Sequence, residues 1–207
     1  TVEASFNGYR FSYQLAMPGR HWVMNSLAVL AAVEAVGADV FAAARAFGEI
    51  KPPKGRGERL SISLGDGSVE LIDDSYNASP VSIAAALEVL AQAELGPSGR
   101  RIAALGDMRE LGDKSAMLHQ GLAAPVIAAG VDLVYAAGPE MKHLCDALPA
   151  TIGVVHTDKS EALIQPLLDE VQPGDVVLVK GSAGSLMGQV VEALKNMVES
   201  KEILNAV

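Results

Sequence analysis

The chain has 207 residues, a formal net charge of −9, and a composition that is 50% hydrophobic but only 4% aromatic. Such a length suits one large domain or one and a half smaller ones, and the core must be aliphatic, as in α/β proteins whose parallel strands are buried on both faces. The acidic balance excludes non-specific nucleic-acid binding, which needs a basic face, but leaves room for an anionic small ligand held by a few local cations and backbone N–H groups.

In chain order, the first predicted element is an almost wholly apolar helix over residues 22–36 that Gly37 can terminate. Asp39 is a plausible N-cap for a shorter helix over 40–47. The segment KPPKGRGER, residues 51–59, has two prolines, two glycines and four basic residues, and reads as a linker between domains. Beyond it, β-like runs at 60–64 and 69–72 flank GDGS, a hairpin turn, and a helix follows Pro80. Strands are then expected at 102–105, 133–136, 154–156 and 176–179, alternating with helices at 115–129, 139–147, 160–170 and 185–198. This repetition predicts a Rossmann-like, mostly parallel sheet with helices on both faces.

Ligands of such open sheets bind beyond the carboxyl ends of the strands. Polar and glycine residues collect at those ends: Asp73 and Asp74, Gly106 and Asp107, Gly138, Thr157 and Asp158, and Lys180, Gly181 and Ser182. Three stretches stand out. In IDDSYNASP a strand-end carboxylate could accept from ribose hydroxyls or an ammonium while Tyr76 and Asn77 orient a polar ligand; equally, Asp74 or Ser75 could cap the next helix and Asn77 form an Asx-turn before Pro80. In LGDMRELGDK, Asp107 could bind a cation or an amine, or the stretch could be a solvated loop with an N-cap. In LVKGSAGSLMG, Lys180 and the Gly/Ser loop could hold an anion at a helix start, or simply make a tight turn.

Cys145 is the only cysteine, so an internal disulfide and a cysteine-based metal site are excluded, and it reads as a buried, inert thiol. The histidines, His21, His119, His143 and His156, lack zinc-enzyme spacing. No apolar run reaches the ~18 residues of a membrane span, and no secretory leader pattern is seen. The G-x-x-x-x-G-K-[ST] phosphate loop is also missing, so an enzyme using a nucleoside triphosphate would have to carry it on another segment.

Taken together, the motifs resemble the Mur ligase family, and within it the branch that joins D-alanyl-D-alanine to UDP-N-acetylmuramoyl-tripeptide. DDSYNASPVSIAAALEVLA is similar to that branch's DDSYNANPxSMxxAL signature, ALGDMRELGDKSAMLHQGLA to its GDMxELGxxSxxxHxxxG stretch, and LVKGSAGSLMGQVVEAL to VKGSRxxxMxxVVxAL. MPGRHWVMNSLAVLAAVEAVG is similar to the family's GxHNxxNxLAAxAxAxxxG helix, and KPPKGRGER to its Gly-Arg hinge. The resemblance implies that residues 1–53 are a helical remnant of a central ATP-binding domain and residues 54–207 a C-terminal Rossmann-like ligase domain. The UDP-sugar site, the phosphate loop and most Mg²⁺ ligands would precede Thr1.

The implied reaction is an ATP-dependent amide ligation through an acyl phosphate, in peptidoglycan synthesis in the bacterial cytoplasm, by a monomer whose isolated fragment is inactive. The resemblance gives His21 and Asn25 to the adenine, Arg56 to the ATP phosphates and Asp74 to the ribose. It gives Tyr76 and Asn77 to the dipeptide, with Asp107, Glu110, His119, Lys180 and Ser182 along the rim. Trp22 stands where the family often has Asn, Ser79 replaces the second Asn of the signature, and Ala183 and Leu186 stand where the loop often has Arg. Another Mur-type amino acid ligase is the first alternative. A phospho-receiver domain would use Asp73-Asp74, Asp107 and Lys180, but lacks the usual proline after the lysine, and a dinucleotide-binding module lacks its G-x-G-x-x-G fingerprint.

Overall fold

The computed structural model describes residues 1–197, and the chain divides into two compact units, Thr1–Pro52 and Pro53–Val207.

The smaller unit opens with an antiparallel hairpin of β1 (Val2–Phe6) and β2 (Tyr9–Tyr13), in register from Val2↔Tyr13 to Phe6↔Tyr9. Helices α1 (Arg20–Ala35) and α2 (Val40–Ala46) follow. The helices expected of this segment are present, and an unanticipated hairpin precedes them. Its missed signal is the Asn7-Gly8 pair, which takes positive φ of 47° and 83°, the demand of a two-residue hairpin turn. Asp39 caps α2 as expected, its Oδ1 accepting from the N–H groups of Phe41 and Ala42 at 2.9 and 3.0 Å. The core of this unit is small: Val2, Tyr13, Leu30, Val40, Ala44 and Phe47.

In the larger unit, β3 (Glu58–Leu64) and β4 (Gly67–Asp74) form the hairpin, and α3 (Pro80–Ala91) crosses to β5 (Arg101–Gly106). After α4 (Ser115–Gln120) and α5 (Ala123–Ala128) come β6 (Leu133–Ala137) and α6 (Lys142–Cys145). The chain continues through β7 (Gly153–Thr157), α7 (Glu161–Glu170), β8 (Val176–Lys180) and α8 (Gly188–Lys195). The strand order is β3-β4-β8-β5-β6-β7, parallel except for edge strand β3.

Alternation along the strands divides the core. Ile72, Ala103, Leu105, Val134, Ala136 and Leu178 face α3 to α6, whereas Leu71, Ile102, Ala104, Tyr135, Val177 and Val179 face α7 and α8. Both faces are covered, which is why these strands read as continuous apolar runs.

Several boundaries differ from the sequence reading, among them that of α6, which spans Lys142–Cys145 where 139–147 was expected. The linker ends before Glu58, because Arg59 already pairs with Ile72 in the hairpin. The helix expected over 115–129 is two helices, since Pro125 has no N–H for the Gly121 carbonyl and its ring would crowd it. The last helix starts at Gly188, after a 3₁₀ turn over Ala183–Ser185, and its expected end at Val198 lies outside the described residues.

Candidate active site

The connections of β4 and β5 leave toward one face of the sheet and that of β8 toward the other. The carboxyl end of β8 therefore lies at a switch point, where such sheets open a crevice.

Asp74 and Lys180, the last residues of β4 and β8, are register partners and so project to the same face. The Lys180 ammonium donates to Asp74 Oδ2 at 2.6 Å and to the Asn77 carbonyl at 2.9 Å. Lys180 is 2% exposed, so the carboxylate balances a buried cation at the crevice floor. Both aspartates are strand residues rather than loop residues, and neither Asp74 nor Ser75 caps the next helix. Ser79 does: its Oγ accepts from Ser82 N–H at 3.2 Å while Ser82 Oγ accepts from Ser79 N–H at 2.9 Å. Asp73 projects to the opposite face and is buried. Its Oδ1 accepts from the Ser75 N–H and hydroxyl, and among the described residues its Oδ2 has no hydrogen-bond partner.

Before β3, Arg56 lies over the Tyr76 ring, 4.2 Å from its centroid. Asn77 Oδ1 accepts from the Ala78 N–H at 2.9 Å. His21 and Asn25 stand on α1 in the smaller unit, both exposed, and the His21 ring lies 5.5 Å from that of Trp22.

Farther along the edge, a cleft of about 480 Å³ opens at the ends of β5, β6 and β7. Asp107, Arg109, Gly138, Lys159, Ser160, Leu186 and Gln189 contribute to its wall. The Asp107 carboxylate fits where Gly138 has no side chain: a Cβ there would come within 2.2 Å of it, on a backbone at φ 115°. Burial pushes the Asp107 pKa up, and backbone N–H groups of Met141 and Glu140 pull it partly back.

The Asp107–Arg109 segment is fastened from two sides. His119, fully buried, accepts the Met108 N–H at Nε2 (3.0 Å) and donates from Nδ1 to the Ser115 carbonyl (2.8 Å), which fixes its tautomer. Ser182 Oγ accepts the Arg109 N–H at 2.9 Å, and the Ser182 N–H donates to the Asp107 carbonyl at 3.2 Å. Ser182 and His119 therefore serve the scaffold of the site in this structure. Glu110 is exposed at φ 64° and is outside the cleft wall.

Arg109 is the residue the sequence reading missed. Its Nη2 donates to the Gly184 carbonyl at 3.0 Å, so the loop that has Ala183 and Leu186 receives a guanidinium from the β5 end instead. The signal lay in GDMREL itself, but only the fold brings that stretch against the KGSAGS loop.

The receiver arrangement would need Lys180 on Asp107, whereas its ammonium is on Asp74. Among the described residues there is no group of three or more His, Cys, Asp or Glu able to hold a metal, and no helix is long and apolar enough to cross a membrane.

Comparison with known proteins decides the lineage. The family model "Mur ligase, glutamate ligase domain" matches residues 55–183. The chain belongs to the Mur ligase family. Its relatives include the UDP-N-acetylmuramoyl-tripeptide–D-alanyl-D-alanine ligase of Rickettsia prowazekii, 34% identical over 84% of this chain and 37% of the relative. The ligase of the same name from Escherichia coli is 35% identical over 87% of this chain and 38% of its own length. Thus the chain spans less than two fifths of either relative. Among solved structures, the MurF ligase from Thermotoga maritima in complex with ADP superposes with a TM-score of 0.74 over 97% of this chain and 46% of its own; at 24% identity this likeness speaks for the Mur ligase fold.

Proposed function

We propose that this chain is the carboxyl-terminal part of a bacterial, cytoplasmic ligase that forms the amide bond between UDP-N-acetylmuramoyl-tripeptide and D-alanyl-D-alanine. The observation that carries the reading is the cleft, whose wall holds a partly buried carboxyl, Asp107, the exposed carboxylates Asp158 and Glu161, and the cations Arg109 and Lys159. A dipeptide has an amine at one end and a carboxylate at the other, so it needs both signs.

ATP supplies the phosphoryl group that turns the tripeptide carboxylate into an acyl phosphate, an electrophile that an amine can attack. In this scheme Arg56 meets nucleotide phosphate, for which a planar fork of donors is suited. Asp74, held in place by Lys180, accepts from the ribose hydroxyls, and His21 and Asn25 serve the adenine. Asn77, whose carbonyl also meets the Lys180 ammonium, links the nucleotide end of the edge to the rest of the rim. Asp107, partly buried in the cleft wall, receives the ammonium end of the dipeptide. Water, which would otherwise hydrolyse the activated carboxylate, would have to be excluded by domain closure in the intact protein. Mg²⁺ would neutralise phosphate charge, with its ligands mainly on other segments of the intact protein.

The test is product formation by the intact protein with ATP, UDP-N-acetylmuramoyl-tripeptide and D-alanyl-D-alanine. A pentapeptide product that requires all three supports the reading. A product formed instead from a single free amino acid would move the protein to another Mur-type activity. The 207-residue chain alone, which lacks a phosphate-loop motif, is expected to form no product.

A further inference from the structure

The segment ahead of β3 is tied to the end of β4 by its backbone. The Tyr76 N–H donates to the Gly55 carbonyl at 3.0 Å, and the Gly57 N–H donates to the Asp73 carbonyl at 2.8 Å. Gly55 has φ 74°, and a Cβ there would come within 3.1 Å of the Tyr76 nitrogen, so the close approach needs glycine. These bonds make Arg56 leave the backbone beside Tyr76, and its guanidinium lies over the ring, 4.2 Å from the centroid. Tyr76 is 55% exposed. Its body serves as a platform, and among the described residues its hydroxyl makes no hydrogen bond.

We propose that Tyr76 is a positioning residue for Arg56, acting through its ring rather than its hydroxyl. This rests on the reading of Arg56 as a phosphate contact and replaces the dipeptide role that the resemblance gives Tyr76. A carboxylate partner would occupy the guanidinium's in-plane N–H groups. An aromatic face attracts the cation from above and leaves that fork open to an incoming phosphate. The stack also restricts, before the ligand arrives, a long side chain whose rotamer freedom would otherwise be lost on binding. Asp74, two positions before Tyr76, places the pre-set fork near the Asp74–Lys180 pair, so phosphate and sugar contacts are grouped at one strand end.

Two measurements test it. In the 207-residue chain, the Arg56 Nε–Hε resonance should be shifted by the ring current, stay shifted in Tyr76→Phe, and move to the position of a solvated arginine in Tyr76→Leu. In the intact protein, Tyr76→Leu should raise the KM for ATP about two- to fivefold, the size of a cation–π contact at an exposed site, with the dipeptide KM unmoved, and Tyr76→Phe should restore the ATP KM. The proposal is overturned if the resonance ignores Tyr76→Leu, or if the Phe and Leu variants both raise the dipeptide KM. If the unsubstituted intact protein forms no ATP-dependent product, the functional reading fails and the role proposed for the stack falls with it, whatever the resonance shows.

Discussion

At the amino edge of the six-stranded sheet Arg100 meets Asp175, and at the carboxyl edge Lys180 meets Asp74. Asp175 has a fully buried side chain, and its carboxylate accepts from the Arg100 N–H, Nε and Nη2 and from the Gln172 N–H. Arg100 also reaches Glu170, and these carboxylates hold its guanidinium still more firmly protonated. Every one of these bonds joins the chain to itself, closing the loops ahead of β5 and β8. Each pair has one buried and one partly exposed member, with the signs reversed: at the amino edge the aspartate is 0% and the arginine 24% exposed in the side chain, whereas at the carboxyl edge the lysine is 3% and the aspartate 23% exposed. Burial of a cation beside a carboxylate that still meets solvent costs desolvation, and it makes sense where a ligand completes the arrangement. The contrast teaches that which member of an ion pair meets solvent, the carboxylate or the cation, bears on function more than the strength of the pair.

The largest expected effect breaks the amino-edge pair. Asp175→Ala leaves Arg100 only its Glu170 contacts and strands the Arg100 and Gln172 backbone donors, and should cost about 3–5 kcal/mol in denaturant unfolding, with the KM values of the intact protein unchanged. Lys180→Ala should cost less, about 2 kcal/mol, because Asp74 keeps access to water, yet should depress ATP turnover by an order of magnitude or more. Equal stability losses with unchanged kinetics in both variants would erase the distinction between the edges.

Smaller effects sharpen it. Ser79→Ala removes the capping box of α3 and should cost about 1 kcal/mol, again without a kinetic signature, since the cap lies in the scaffold. Asp107→Asn concerns pH. The folded-state pKa of Asp107 is raised above its ordinary value near 3.8, so just above that value the folded chain keeps a proton that the unfolded chain has released. Stability attributable to this group therefore falls as pH rises through the window up to the raised pKa. Asp107→Asn should remove that slope, raising the Tm at neutral pH relative to the parent and not at pH 3, while impairing ligation. A Tm gain that is the same at both pH values would argue against burial as the cause.

Much of the larger unit was legible because parallel strands covered on both faces have no choice but to be apolar runs, as Ile102 to Leu105 and Val176 to Val179 are. Their ends carried the polar residues that mark a rim. Side-chain use at the rim was less legible. Nothing in DDSYNASP says that Ser79 rather than Asp74 caps α3, because turn residues are interchangeable as acceptors; only the register of β4 on β8, which brings Asp74 to Lys180, decides it. Likewise Arg109 gains its place from a contact with Gly184 between distant segments. In the smaller unit, Asn7-Gly8 carried a hairpin signal, but the sequence reading started at the long apolar helix that follows.

The most direct test of a nucleotide-handling carboxyl edge is the KM for ATP in the intact protein carrying Asp74→Asn, a change that keeps an acceptor for the Lys180 ammonium and so preserves the fold. A rise of about tenfold, the value of a lost charged hydrogen bond of roughly 1.4 kcal/mol, with an unaltered KM for D-alanyl-D-alanine, is the result predicted. An unchanged KM for ATP in a variant that retains the parent Tm would contradict the account.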